Sequence, residues 1–288
     1  MLIADSIKER MNREYKVRKL KSKVMITCSF LALILALIPL FSVLIEVILR
    51  GAPVISISFL VKRIPPMGQP GGGIGPAIQG TLIIIALTSL IGVPIGVFSG
   101  IYLAEYDDNW FASMIRFISD VMTNIPSIVA GIFGWATIVL TIGWSVIAGA
   151  VALAILMIPV ITRTTEEIIR MVPDEIREAA LALGLPKWKV TLNIVLNNAK
   201  KGIATGVLLA LARIAGETAP RLLTILGSRF WIGSLTEPAT ALPLIIFNFS
   251  QSPYSSVDWP RAWGAAFVLI LMVLVINIIV RYLTREKY

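Results

Sequence analysis

The sequence predicts an all-α, polytopic membrane protein with six transmembrane helices, and two observations support that prediction. Of its 288 residues, 57% are hydrophobic and only 15% are charged, with a mean hydropathy of +0.84, whereas soluble domains carry about 25% charged residues. Two long stretches, 64–104 and 121–162, contain no charged residue, and each exceeds the roughly 20 residues that cross a bilayer as a helix. The chain is therefore expected to form one membrane-embedded bundle.

The N-terminal part is predicted to be a basic cytoplasmic tail at 1–23, followed by the first transmembrane helix at 24–49. The tail holds three acidic residues against eight basic ones, which are Lys8, Arg10, Arg13, Lys16, Arg18, Lys19, Lys21 and Lys23. Basic segments beside a membrane helix remain in the cytoplasm, which sets the orientation of the whole chain. The apolar run is longer than the core of a signal peptide, about 7–15 residues, so we interpret it as a permanent span.

An outer loop is predicted at 50–76, because its Pro- and Gly-rich composition is incompatible with a regular helix. Span two follows at about 77–103. The stretch 92–96 inside that span, Gly-Val-Pro-Ile-Gly, indicates either a break or a site of close helix packing.

Two spans, at about 111–140 and 145–162, are predicted to occupy the second uncharged stretch. An acidic turn at 105–108 precedes them, formed by Glu105, Asp107 and Asp108. Arg116 and Asp120 are four residues apart, and that spacing on a helix predicts an ion pair.

The rest of the chain alternates in the same way. A charged loop at 163–201 is expected on the cytoplasmic side, then span five at about 202–226, a second outer loop at 228–262 and span six at about 263–280. Three basic residues follow span six and are expected on the cytoplasmic side: Arg281, Arg285 and Lys287. With six spans, both termini and the 163–201 loop fall on the same, cytoplasmic side, and residues 77–284 form the core of the protein.

Composition also excludes several classes of function. The chain has no His and one Cys, Cys28, which excludes a disulfide within the chain and any His-containing metal or catalytic triad site. It lacks the G-x-x-x-x-G-K-[ST] pattern of an ATP-binding P-loop. The net charge of +9 is explained by membrane orientation, since the basic residues lie beside apolar runs, so no nucleic-acid partner is expected. No cofactor is expected either.

The 163–201 loop is predicted to fold as helix, break, helix. Pro173, Asp174 and Glu175 suit a helix start, Gly184 suits a stop, and Pro186 suits a second start. Each helix has an apolar face at helical spacing: Ile176, Ala179, Ala180 and Leu183 in the first, and Trp188, Leu192, Val195 and Leu196 in the second. On this pattern alone, a helix lying on the membrane surface and a helix that docks a partner remain equal alternatives.

A resemblance to a known family begins in this loop. Glu178-Ala179-Ala180, followed by Gly184, Ile194 and Leu196, resembles the EAA coupling motif of ABC importer permeases, with Asn197 where the family usually has Pro. The resemblance implies a MetI-like six-helix bundle, a second permease subunit, two separate ATPase subunits and an extracytoplasmic binding protein. It implies that 163–201, here called the coupling loop, docks on the ATPase, with Glu178 as a polar contact and Ala179, Ala180 and Gly184 as the close-packed surface.

Four further stretches resemble the phosphate branch of these permeases. They are Gly73–Thr81, Gly100–Tyr106, Asn124–Gly131 and the segment Ala212–Pro220 with its Gly-Glu-Thr-Ala-Pro ending. The resemblance covers about 70–288 and implies that the transported substrate is inorganic phosphate, supplied by a phosphate-binding protein at the two outer loops.

The predicted fifth span carries three charges, Arg213, Glu217 and Arg221. Arg213 lies 11 residues beyond Gly202, about 16 Å along a helix and hence near the membrane midplane. If the span is one helix, the three charges share a face, with Arg221 at the outer interface. A charge at the midplane costs roughly 2.5–3.5 kcal/mol unless it is shielded from lipid.

Two interpretations of these charges remain open. One is a structural ion pair between Arg213 and Glu217. The other is a substrate path formed by Arg213, Glu217 and Thr218, in which the guanidinium binds phosphate oxygens. Because a carboxylate only accepts hydrogen bonds, Glu217 would favour an anion that still carries a proton, as phosphate does near neutral pH and sulfate does not.

The function predicted from the sequence is therefore the membrane subunit of an ATP-driven phosphate importer that performs no covalent chemistry itself. A permease for another oxyanion, such as molybdate or sulfate, is the alternative. An intramembrane enzyme is disfavoured by the absence of His and of G-x-G-D and G-x-S-G motifs, and an ATP-independent channel is disfavoured by the coupling motif.

Overall fold

The computed structural model describes the backbone at residues 2–106 and 109–283, and side chains at 14–106 and 109–282. Several predicted features fall outside these ranges: Asp107 and Asp108 of the acidic turn, Arg285 and Lys287, and the side chains of Lys8, Arg10 and Arg13. The described residues are helical apart from connecting segments and one isolated bridge between Leu226 and Ala239. The all-α prediction is confirmed.

The chain divides into two compact units, residues 1–49 and 50–288. The first unit contains all but the last two residues of helix α1 (Leu2–Gly51), which includes both the basic tail and the first predicted span in one uninterrupted helix. An exposed ion pair joins Arg18 to Glu14, with 3.8 Å between nitrogen and oxygen.

After the end of α1, the second unit contains a single 3₁₀ turn at Ala52–Val54 and twelve helices or helix fragments among its described residues. Numbered along the chain, they are α2 (Ile57–Val61), α3 (Gly75–Glu105), α4 (Trp110–Asn124), α5 (Ser127–Gly134), α6 (Leu140–Ile142), α7 (Val146–Arg170), α8 (Asp174–Ala182), α9 (Lys187–Lys189), α10 (Leu196–Gly216), α11 (Ala219–Thr224), α12 (Leu242–Ser250) and α13 (Ser255–Leu283). Two π-helical turns, Trp135–Val139 and Val190–Val195, join α5 to α6 and α9 to α10.

Within the part of the chain that the structure describes, five helical segments are long and apolar enough to cross a membrane: Glu14–Val54, Gly75–Glu105, Val146–Arg170, Lys187–Gly216 and Ser255–Tyr282. A sixth is obtained if the bent pair Trp110–Asn124 and Ser127–Ile142 is counted as one span. The segments match the six predicted spans in number and order.

The third predicted span is not continuous. Its two halves meet at an angle of 105° at Ile125 and Pro126. Proline lacks the N–H that a helix needs and forces the residue before it out of the helical region, and Ile125 has the extended ψ of 127°. A prediction based on hydropathy alone missed this break, because the two halves together are apolar enough to read as one span.

The outer loops contain more helix than the sequence predicted. In the first loop, α2 forms upstream of the Pro/Gly-rich stretch, with the Ser56 hydroxyl accepting a hydrogen bond from the Phe59 N–H at 3.1 Å. In the second, α12 forms, and α13 begins at Ser255, eight residues before the predicted start of span six. The prolines do not prevent these helices, because Pro243 lies in the first turn of α12 and α13 continues through Pro260.

Buried charges join the two outer loops. The carboxylate of Asp258, at the start of α13, accepts a bond from Arg261 at 2.8 Å and one from the Gly68 N–H at 2.9 Å. Arg261 in turn donates to the carbonyls of Gln69 and Gly71. Because a buried ion pair is stable only when its remaining polar atoms are also bonded, this network fixes the first loop on α13.

The centre of the second unit is the pair α3 and α7. A Cβ added at Gly96 would lie 2.7 Å from the Ile161 Cβ, and one at Gly100 would lie 2.5 Å from the Thr165 Cβ. The glycines therefore let the two helices approach closely, and α3 continues without interruption through Pro94. Of the two interpretations of the 92–96 stretch, the structure supports close packing.

Candidate functional site

The charged segment of span five does not form one helix. A helical stretch runs from Lys187 through the π turn to Gly216, where Glu217 adopts the extended ψ of 126° and ends it. The chain resumes as α11 at Ala219, with Pro220 in its first turn. The prediction of a single span at 202–226 is wrong, because Thr218-Ala219-Pro220 favours a new helix start over continuation.

Arg221 is the residue whose position differs most from the prediction. It was expected at the outer membrane interface, but its side chain is completely buried. Its guanidinium donates to three carbonyls at the end of α10: Ile214 at 3.2 Å, Ala215 at 3.0 Å and Glu217 at 2.7 Å. The last carbonyls of a helix have no partner within it and carry its negative dipole end, so Arg221 stabilises the break.

Arg213 and Glu217 remain neighbours across the helix end. The Nε of Arg213 lies 3.9 Å from a carboxylate oxygen of Glu217, and their side chains are 57% and 19% exposed in the isolated chain. A separation of 3.9 Å with one exposed partner is a loose ion pair. The Thr218 hydroxyl lies beside them, 3.5 Å from the Gly216 carbonyl, so the three predicted path residues are together at the break.

A second broken helix packs against the first. A Cβ added at Gly131, in α5, would lie 2.8 Å from the Cα of Pro220 in α11. The segments Asn124–Gly131 and Ala212–Pro220, which are distant in sequence, therefore meet in the fold. Irregular backbone at membrane depth is tolerated where it is buried in protein or lines a water-filled cavity, and Gly131 and Pro220 are both buried in protein where the two breaks meet.

The coupling loop has the predicted helix–break–helix form. Helix α8 ends before Gly184, which has a φ of +80° that favours glycine, and α9 begins after Pro186. These observations confirm the local prediction of where the two helices start and stop.

The predicted apolar faces of the loop are not buried as sets. In α8 only Ala180 is buried, at 4% exposure, where it packs in a cluster with Val190 and Val195. Glu178, Ala179 and Gly184 are exposed. Several large apolar side chains of the loop are exposed in the isolated chain: Ile176, Leu181, Leu183, Trp188 and Leu192. Exposed apolar side chains suit a helix on the membrane surface and a helix that docks a partner alike, so both alternatives stay open.

The predicted Arg116–Asp120 ion pair is wrong. Arg116, on α4, instead pairs with Glu166 of α7 at 3.0 Å, and Asp120 pairs with Arg163 of α7. The Glu166 side chain is only 7% exposed and also receives Arg163 at 3.1 Å and Arg170 at 3.2 Å. Sequence spacing suggested the intrahelical partner, but a buried carboxylate on the neighbouring helix attracts arginine more strongly because it is less screened by water.

Glu105 is a residue that sequence reasoning placed in an acidic turn without giving it a role. Its side chain is 5% exposed and binds residues of the coupling loop. The signal in the sequence was weak: one carboxylate at the end of a long uncharged stretch, with no indication of its partner.

Comparisons with known proteins agree with this architecture. Residues 92–286 match the family described as binding-protein-dependent transport system inner membrane component. The chain is 38% identical over 98% of its length to the phosphate transport system permease protein PstA of Yersinia pestis, covering 96% of that protein. It is 41% identical over 96% of its length to the PstA of Pasteurella multocida, covering 99% of it.

Solved structures share the fold. A bacterial alginate ABC transporter chain gives a TM-score of 0.66 at 15% identity, covering 93% of this chain and 96% of that one. A chain of the MetNI methionine ABC transporter gives 0.56 at 19% identity, covering 74% and 95%. At such identities the likeness concerns the fold alone.

Proposed function

Because this chain belongs to the PstA family of phosphate transport system permease proteins, within the binding-protein-dependent inner membrane components, we propose that it is the permease subunit of an ATP-binding-cassette importer that moves inorganic phosphate into the cytoplasm. The observation that carries the proposal is the 38–41% identity to such permeases over nearly the whole chain. The protein is a multi-pass membrane subunit rather than an enzyme, and ATP is hydrolysed on partner subunits.

The substrate path consists of Arg213, Glu217 and Thr218 at the end of α10. Arg213 is 57% exposed in the isolated chain, and a charge facing lipid at this depth would cost roughly 2.5–3.5 kcal/mol. That cost disappears if the side chain faces a polar passage between two permease subunits. A second, PstC-like permease subunit supplies the other wall of that passage.

Phosphate fits this group of side chains better than sulfate. The guanidinium of Arg213 offers donors in a planar fork that matches phosphate oxygens. Glu217, as an ionised acceptor, needs a donor on the substrate, and hydrogen phosphate provides its remaining proton. Another oxyanion such as molybdate or sulfate is the second candidate substrate, and the relatives' names favour phosphate.

Two ATPase subunits bind the importer, one of them at the coupling loop. Glu178, Ala179 and Gly184 lie on its exposed surface beside Leu181 and Leu183. Ala180 supports that surface from beneath, where its small side chain lets α8 pack closely on the following helix. Closure of the ATPases on ATP binding moves this loop and switches the bundle between two access states.

The orientation of the chain in the membrane follows from the positions of its basic regions. The basic N-terminal region, the coupling loop and the basic C-terminal region lie in the cytoplasm. The phosphate-binding protein docks on the opposite side, at the loops 50–76 and 228–262. The buried Asp258–Arg261 pair holds the first of these loops in place, which presents the binding protein with a formed surface.

The test of the path is phosphate uptake by cells that carry only this importer. We expect Arg213→Gln to lower uptake by about tenfold or more, because one charge-assisted hydrogen bond contributes about 1.5–3 kcal/mol. We expect Glu217→Gln to relax the preference for phosphate over sulfate. Arg18→Gln, which removes an exposed arginine with a loosely placed glutamate partner at 3.8 Å, is the matched control.

Membrane abundance and subunit assembly are measured alongside uptake. Normal uptake in both path variants would exclude the path. Loss of uptake together with loss of the assembled complex would identify Arg213 and Glu217 as a structural ion pair instead.

A further inference from the structure

The end of α3 is held by three residues of the coupling loop. The Glu105 carboxylate, 5% exposed, accepts a hydrogen bond from Arg177 of α8 on one oxygen and from the Thr191 hydroxyl, at 3.1 Å, on the other. The Glu105 carbonyl accepts a further bond from the Lys187 ammonium at 2.7 Å. Lys187 also lies 4.3 Å from the centre of the Tyr106 ring.

These contacts come from both sides of the break in the loop. Arg177 belongs to the helix before Gly184, whereas Lys187 and Thr191 belong to the helix after it. One residue of α3 therefore holds two helices that are otherwise joined by a short connection. A nine-residue helix such as α8 is marginally stable alone in water, so its position depends on such contacts.

Arg177 extends the connection to a third helix. Besides Glu105, it donates to the Ile169 carbonyl at the end of α7, at 2.8 Å, and its side chain is only 18% exposed. Because α3 and α7 are closely packed along their glycine positions, they behave as a rigid pair. The coupling loop is thus bonded to this pair at a partly buried ionic site.

We propose that Glu105, Arg177, Lys187 and Thr191, here called the Glu105 interlock, make the coupling loop and the α3–α7 pair move as one body when the ATPases close. Glu105 is then a positioning residue for energy coupling. This inference rests on the proposed function, since it concerns how ATPase closure reaches the bundle.

The alternative route for that movement is the helix that leads from Lys187 to Gly216, which connects the loop covalently to the Arg213 region. By itself that helix would move α10, and the short connection 171–173 would move α7, whereas α3 would be left behind. The interlock adds the attachment to α3, so that α3 and α7 shift together with the coupling loop. Without it, the loop would move relative to α3 and ATP would be hydrolysed without transport.

The test uses the complete importer, with its second permease, ATPases and binding protein, reconstituted in liposomes. The main variant is Glu105→Gln, which keeps the shape and removes the charge. Thr191→Val removes one contact to Glu105, together with the Thr191 bond to the Lys187 carbonyl in the same helical stretch, and serves if the first variant assembles poorly. Glu14→Gln is the matched control, since it makes the same substitution in the exposed pair with Arg18.

Phosphate transported per ATP hydrolysed is the first readout. We expect Glu105→Gln to lower this ratio by about tenfold, within the range of known coupling effects, while ATP hydrolysis and assembly stay near those of the unmodified complex. Exchanging the pair, Glu105→Arg with Arg177→Glu, is expected to restore part of the ratio. An unchanged ratio, or a proportional loss of hydrolysis and transport, would overturn the interlock.

The distance between α8 and α3 is the second readout and does not depend on the substrate. Spin labels at Glu175 and Leu90, both exposed, in a Cys28→Ser background, report it with and without ATP. We expect the distance to change by no more than about 1–2 Å in the unmodified complex, the scale of ordinary helix shifts, and to shift or broaden well beyond that in Glu105→Gln.

The two readouts separate the two proposals. If the unmodified complex fails to transport phosphate, the proposed function is wrong, and the label distances still decide whether the interlock exists. If it transports phosphate and the distance in the variant stays as narrow as in the unmodified complex, the interlock is wrong and the proposed function stands.

Discussion

Replacing Arg221 with Met should destabilise the protein strongly, although this residue was expected at a membrane interface. Methionine is an unbranched, apolar side chain of similar length. The substitution removes three hydrogen bonds to backbone carbonyls, at 2.7, 3.0 and 3.2 Å. Bonds from a charged donor contribute about 1.5–3 kcal/mol each. The lost bonds would therefore sum to roughly 5–9 kcal/mol if nothing offset them.

Two effects reduce that sum. Removing a fully buried cation also removes its desolvation penalty, which is several kcal/mol for an isolated ion. The freed carbonyls lie at a helix end, where water could reach some of them after local rearrangement. We expect a net loss of about 3–5 kcal/mol, the range measured when one side of a buried ionic arrangement is removed.

The assay is thermal unfolding of the purified subunit in detergent, followed by the loss of tertiary signal. A loss of that size corresponds to a decrease of roughly 10 °C in the midpoint for a chain of this length. Arg229→Met, at an exposed arginine of the second outer loop, serves as the control and should leave the midpoint nearly unchanged. If Arg221→Met and Arg229→Met unfold at the same temperature, Arg221 does not stabilise the helix end.

Three further experiments, with four substitutions, test other parts of the structure. Gly131→Ala should separate the two broken helices, because its Cβ would lie 2.8 Å from the Pro220 Cα; we expect a loss of about 1–3 kcal/mol, and an unchanged unfolding midpoint would contradict it. Ala179→Leu should block ATPase binding in a pull-down without lowering thermal stability, whereas Ala180→Leu should lower stability because that position is buried; equal effects of both would refute the assignment of the two faces. Asp258→Asn should release the first outer loop from α13, since it removes the carboxylate that binds both loops; faster proteolysis of residues 62–72 is the expected result, and wild-type cleavage rates would contradict it.

The sequence was sufficient to predict the membrane class, the number of spans and the break in the coupling loop. These features depend on local properties: apolar length, the conformational freedom of Gly184 and the helix-starting preference of Pro186. The motifs were sufficient to identify the family, because they consist of particular residue types at fixed spacing. Glu178 and Ala179 are exposed, and their role at the ATPase stays a prediction.

The sequence was insufficient wherever the partner of a residue lies on another helix. Arg116 was assigned the partner four residues away, and Arg221 was placed by counting along a helix that ends at Gly216. Glu105 received no role because nothing local indicates that Arg177 and Thr191 converge on it. Hydropathy is averaged over many neighbouring residues. It therefore could not show that two of the predicted spans, at 111–140 and 202–226, are broken.

Under the proposed function, this chain forms a route for phosphate that is driven by ATP on partner subunits, with Arg213 in the path. The most direct measurement is uptake of radioactive phosphate into liposomes that contain the complete importer, with and without ATP, for the unmodified chain and for Arg213→Gln. We predict accumulation that requires ATP and the binding protein, that excess sulfate does not inhibit, and that falls by about tenfold or more in the variant. Accumulation without ATP, equal competition by sulfate, or full uptake by Arg213→Gln would contradict the account.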